Sequence, residues 1–175
     1  MFEPILPCGE SGMKKPGSSM QITRAADYGI RVMIQLALPR TEGRESLPAL
    51  AQATGAPESF LSKVLQSLAR VGFINSRRGQ MGGFTITPQG RDTSIRAVVE
   101  AIDGPICLNV CLTHGRSCPR KLRCPAHPVW IQAQQAMLDV LSSVTISAMA
   151  AQASSTGHAT HAANFLHIPS YPGKR

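Results

Sequence analysis

From position 22 onward, apolar residues recur at steps of three and four: Ile22, Ala26, Ile30, Met33 and Ala37, with Tyr28 and Val32 widening the stripe. That period predicts an amphipathic helix. Thr23 reads as its N-cap and Pro39 stops it. A second helix is expected over Leu47 to Thr54, capped by Ser46 and ended by Gly55. A third runs from Glu58 to Val71, with Pro57 at its start and Gly72 past its end. In it Phe60, Leu61, Val64, Leu65 and Leu68 are expected to face inward, leaving Ser59, Ser62, Lys63, Gln66 and Arg70 outside. Two short helices joined by a tight Gly-Ala-Pro turn make a helix-turn-helix.

The period then changes. Phe73-Ile74 and Phe84-Thr85-Ile86 are strand-forming pieces on either side of RRGQMGG, a glycine-rich tip, and Pro88 closes the hairpin. A two-stranded hairpin after a helix-turn-helix is a wing. A fourth helix is expected from Ser94 to Ile102. A long one follows over 128–144, with Val129, Ala133, Met137, Val140, Leu141 and Val144 on one side. The β-branched pair Val144-Thr145 breaks it before a short helix at 146–151. So long a stripe has little to cover it within so small a fold. It is expected to pair with the same helix of a second subunit and partly to fold back on the first helix. The fold class is therefore mostly α with a small β wing: a winged helix-turn-helix with a long C-terminal dimerisation helix. Five regions follow: a disordered extension 1–19, a winged-helix domain 20–103, a cysteine-bearing loop 104–127, a dimerisation helix 128–151 and a disordered tail 152–175. The two end regions are Gly/Pro/Ser/Lys-rich and Ala/Ser/Thr/His/Pro-rich, without an apolar period.

Composition narrows the function. Of 175 residues 43% are hydrophobic, enough for a core, and the net charge of +8 favours a polyanionic partner. From Lys63 to Arg96 every charged residue but Asp92 is cationic. Arg77 and Arg78 could be a solvated turn. The one-signed surroundings favour the other reading, contact with phosphates or a minor groove. There is no apolar run long enough for a membrane span and no secretory pattern at the start. A cytoplasmic protein with reduced thiols is expected, and five cysteines, an odd number, argue against a disulfide framework.

The chemistry is concentrated in Cys111, Cys118, Cys124 and His127, spaced C-x6-C, C-x5-C and C-x2-H. Four soft or borderline ligands so close in sequence can close around one metal centre. Arg116, Arg120, Lys121 and Arg123 surround them without an acid, a field that favours thiolate. A structural zinc is the alternative, but closed zinc sites usually show a C-x2–4-C knuckle, absent among these four. An enzyme is not expected. Cys124 and His127 lack an orienting third group, and there is no phosphate loop, carboxylate pair or small-molecule substrate site.

These residues resemble a known family, the IscR/NsrR-type winged-helix regulators of bacteria. The matching pieces are MQITRAADYGIRVMIQLA, LPALAQATGAPESFLSKVLQSLARVGFI, RRGQMGGF and CLTHGRSCPRKLRCPAHPVW. The resemblance implies a homodimer on a palindromic DNA operator, controlled by an iron–sulfur cluster, 2Fe–2S or 4Fe–4S, that senses redox state, nitric oxide or iron supply. It implies ligation by Cys111, Cys118 and Cys124, with His127 as the fourth ligand. Asp27 from the other subunit and Cys107 are the alternatives, in that order. The first spacing is one residue longer than the family's common C-x5-C, and Ser62 stands where IscR-like members carry glutamate. Ser59, Ser62 and Lys63, with Arg77 and Arg78 of the wing, are the expected DNA contacts.

Overall fold

The computed structural model describes residues 22–39, 43–79, 82–113 and 118–155. Helix α1 (Arg24–Ala37) begins at Thr23, whose hydroxyl accepts from the Ala26 amide at 3.3 Å. Helix α2 (Leu47–Thr54) is capped by Ser46 and ends at Gly55, whose φ of 68° is left-handed. Helix α3 (Glu58–Arg70) starts after Pro57. Strands β1 (Ile74–Arg77) and β2 (Gly83–Ile86) pair antiparallel, Ile74 opposite Ile86 and Arg77 opposite Gly83. Helices α4 (Pro88–Asp92) and α5 (Ile95–Asp103) come next, then α6 (His127–Ser143) and α7 (Ile146–Ser155).

The core lies where α1, α3 and α5 meet. Met33, Leu50, Leu61, Leu68, Val98 and Ile146 are wholly buried. Each contributes ~1.5–3 kcal/mol of transfer free energy. Gly29 lets α1 approach α5, because a Cβ there would collide with the Ile102 side chain. The wing is braced by a third segment. Glu45 and Phe84 exchange two backbone hydrogen bonds of 3.0 and 2.9 Å.

Several details depart from the sequence expectations. Pro88 does more than close the hairpin: it opens α4, with Thr87 as N-cap, because proline suits a first helical turn. Arg91 from that helix donates to the Ala37 carbonyl at 2.9 Å, satisfying the end of α1. Phe60 does not face inward. It is 39% exposed and meets Tyr28 edge to face, with centroids 5.8 Å apart. Ile22 is exposed as well. The last helix runs to Ser155, four residues past the expected boundary. The extension 1–19 and the tail from 156 lie outside the described residues.

The break after α6 falls at Val144-Thr145 as expected. It is stapled to the start of α5 by Ile95 N–H to Val144 O and Ile146 N–H to Thr93 O. The expected division of labour between dimer face and fold-back is split between helices. Ile146 and Ala150 of α7 bury themselves in the core beside α1. Helix α6 buries only Gln134 and Leu138, leaving Val129, Trp130 and Val140 exposed.

Candidate metal centre and nucleic-acid interface

Two single turns of 3-10 helix build the cysteine region. The first, Val110–Leu112, carries Cys111 and is capped by Asn109, whose side chain accepts from the Val110 amide at 2.7 Å. The second, Lys121–Arg123, lies between Cys118 and Cys124. The Cys118 carbonyl accepts from the Lys121 amide at 3.0 Å, and the Cys124 carbonyl accepts from the His127 amide at 3.1 Å. Successive tight turns thus lead from Cys118 through Cys124 into the first residue of α6, which is His127.

Cys111, Cys118, Cys124 and His127 all line one cavity of about 550 Å3. Asn109, Val110, Pro119, Lys121 and Trp130 complete its wall. The three cysteines are free and half-buried. The Nδ1 atom of His127 is buried with no hydrogen-bond partner. A buried imidazole nitrogen without a partner costs ~1–3 kcal/mol. Among the described residues, no three Cys, His, Asp or Glu side chains converge tightly enough to hold a single metal ion.

The other two candidates for a fourth ligand sit differently. Cys107 is disulfide-bonded in this structure and does not line the cavity. Asp27, expected to act across to a second subunit, pairs in its own chain with Arg31 at 2.8 Å and is 49% exposed. Arg31 also stacks over Tyr28 and reaches the Thr54 carbonyl. Of the surrounding cations, Lys121 lines the cavity, Arg120 and Arg123 are exposed, and Arg116 lies outside the described residues.

The expected DNA contacts fall on two elements. Ser59, Ser62 and Lys63 occupy one face of α3, at steps of three and four. Ser59 and Lys63 are exposed and Ser62 is half-buried. Arg77 ends β1, and both it and Arg78 are exposed. The tip's glycines have steric reasons. A Cβ on Gly82 would strike the Arg77 and Gly79 carbonyls. One on Gly83, whose φ is 145°, would lie 2.7 Å from the Glu45 carbonyl oxygen.

Trp130 and Gln134 carry no obvious sequence signal of a role. Their only hint is spacing: they lie three and seven residues beyond His127, on its own helix face.

A helix-turn-helix followed by a braced hairpin defines a winged-helix DNA-binding protein. Residues 22–152 match the family model described as Rrf2, an iron-dependent transcriptional regulator, and the chain belongs to that family. It is a DNA-binding transcriptional regulator, not an enzyme. It is similar to the regulator NsrR of Geobacillus kaustophilus, 29% identical over 129 residues, covering 73% of this chain and 88% of that one. It is also similar to IscR of Photobacterium profundum, 25% identical over 128 residues and 73% of each chain. Among solved structures it resembles CymR, described as the global cysteine regulator of B. subtilis. There the TM-score is 0.60 at 27% identity, over 77% of this chain and 98% of that one. No helix among the described residues is long and apolar enough to cross a membrane.

Proposed function

We propose that this regulator's grip on its operator is set by an iron–sulfur cluster held by Cys111, Cys118, Cys124 and His127. One observation carries the reading: His127, whose buried Nδ1 has no hydrogen-bond partner, lines one cavity with three free cysteines. Ligation would offset the cost of that buried nitrogen. The likeness to IscR and NsrR supports the same reading. A bound cluster supplies reversible electron exchange and a point of attack for oxidants or nitric oxide. One neutral imidazole among three thiolates favours a higher reduction potential than four thiolates would. Lys121 in the wall offsets part of the negative charge of the thiolates.

The two recognition units belong to a homodimer in the cytoplasm. Val129, Ala133 and Val140 of α6 are exposed in the single chain and form the surface for a second copy. Because His127 is the first residue of α6, the ligand and the dimer face are built on one helix. Changing what His127 holds tilts that helix and resets the distance between the two α3 helices. Those must enter major grooves about one helical turn apart. Ser59, Ser62 and Lys63 reach base edges and phosphates, and Arg77 and Arg78 hold the backbone or minor groove. A coupling of ~1–3 kcal/mol changes operator affinity about 5- to 150-fold.

A winged-helix regulator with a structural zinc, or with no metal, is the second reading. The lack of any three donors converging on one point among the described residues favours its metal-free form. Anaerobic reconstitution separates the readings. Stoichiometric iron and acid-labile sulfide, with visible absorbance, support the cluster; one zinc per chain or no metal contradicts it.

A further inference from the structure

Among the described residues, two polar side chains are fully buried: Thr54 and Gln134. Thr54 is satisfied within its own helix, donating to the Leu50 carbonyl at 2.6 Å. Gln134, 4% exposed, bonds across to another segment: its Oε1 accepts from the Leu108 amide at 2.9 Å. An amide side chain is costly to bury, and an apolar residue of the same volume would fill this place on α6 without that cost. The position therefore calls for what only the oxygen supplies, a fixed grip on the Leu108 backbone. Leu108 is followed by Asn109 and Val110, both in the cavity wall, and then by Cys111. Gln134 stands two turns beyond His127 on the same face of α6, with Trp130 between them. The bond thus joins the segment that brings Cys111 to the helix that brings His127.

We infer that Gln134 is a positioning residue for the cysteine–histidine centre, its side-chain oxygen fixing the Cys111 segment against the helix that carries His127. This rests on the reading of the centre as a cluster site. Removing a partner that orients a ligand typically costs 10–100-fold in metal retention.

The test uses the full-length chain, with Gln134→Met as the isosteric variant without the strong acceptor. Val98→Ala, matched to it in thermal stability, is the control: Val98 is buried in α5, away from the cavity wall. Loss of visible absorbance to an iron chelator and exchange of the Leu108 amide in metal-free protein are measured. In Gln134→Met both should speed up about tenfold or more, while Val98→Ala stays near wild type. Wild-type persistence in Gln134→Met, or equal loss in Val98→Ala, overturns the inference. If wild type itself takes up no iron and sulfide, the proposed function fails instead. Leu108 exchange in the metal-free variant still decides the role of Gln134, and an unchanged rate overturns it.

Discussion

The carboxylate of Asp103 accepts the hydroxyl of Thr23 at 2.7 and 2.8 Å, and also the Thr23 amide at 3.3 Å, across 80 residues of sequence. Thr23 is at once the cap of α1 and the anchor for the end of α5, from which the cysteine segment departs. Helix α1 in turn packs on α3. The bond therefore ties the start of the cysteine-bearing segment to the helix-turn-helix. Thr23→Val removes both a cap and a charge-assisted bond, worth ~1–3 kcal/mol together. Urea unfolding of the metal-free protein should show a lower midpoint with an unchanged slope, the midpoint shift multiplied by that slope giving this loss.

Fourth-ligand identity separates by mutation. Cys111→Ala, Cys118→Ala and Cys124→Ala should each abolish cluster retention. His127→Ala should weaken retention and change the visible spectrum. Asp27→Asn should leave that spectrum unchanged, since Asp27 does not line the cavity and the proposed ligands are complete within one chain. A spectrum that changes with Asp27→Asn and not with His127→Ala would reverse the assignment.

On the wing, Arg77→Ala and Arg78→Ala should weaken operator binding similarly across DNA sequences. Each should lower the salt slope by about one for every phosphate no longer neutralised. Lys63→Ala on α3 should do the same if it holds a phosphate, and should relax sequence preference if it reads a base. Fluorescence anisotropy at several salt concentrations distinguishes the two.

Gly83→Ala places a methyl 2.7 Å from the Glu45 carbonyl oxygen on a backbone whose φ of 145° disfavours side chains. The expected cost is ~1–3 kcal/mol of local strain. DNA affinity should fall while the helical signal in far-ultraviolet circular dichroism is preserved, since the core lies on α1, α3 and α5.

Val140, 52% exposed in the single chain, should tolerate aspartate as a monomer but not within an apolar dimer face. Sedimentation of Val140→Asp should therefore report monomer where wild type reports dimer, with unchanged secondary structure.

Most of the architecture was legible because its signals are local. Thr23, Ser46 and the Gly55 end of α2 are where side-chain chemistry places them. The Val144-Thr145 break is legible for the same reason. What escaped depends on distant partners. Phe60 looks like a core residue by spacing, yet it sits on Tyr28 at the surface. Helix α4 was hidden because proline ends a hairpin and begins a helix equally well. In the candidate site, the cysteines and His127 were evident from spacing. Gln134 was not, since nothing in a single sequence says that one glutamine on an apolar helix will reach back to the Leu108 amide.

Operator binding by metal-free and cluster-loaded dimers, measured on one promoter fragment at one salt concentration, bears most directly on the whole account. Affinities differing about 5-fold or more are expected, with the difference erased in Cys118→Ala. Equal affinities for the two forms, with full cluster occupancy verified, would contradict it.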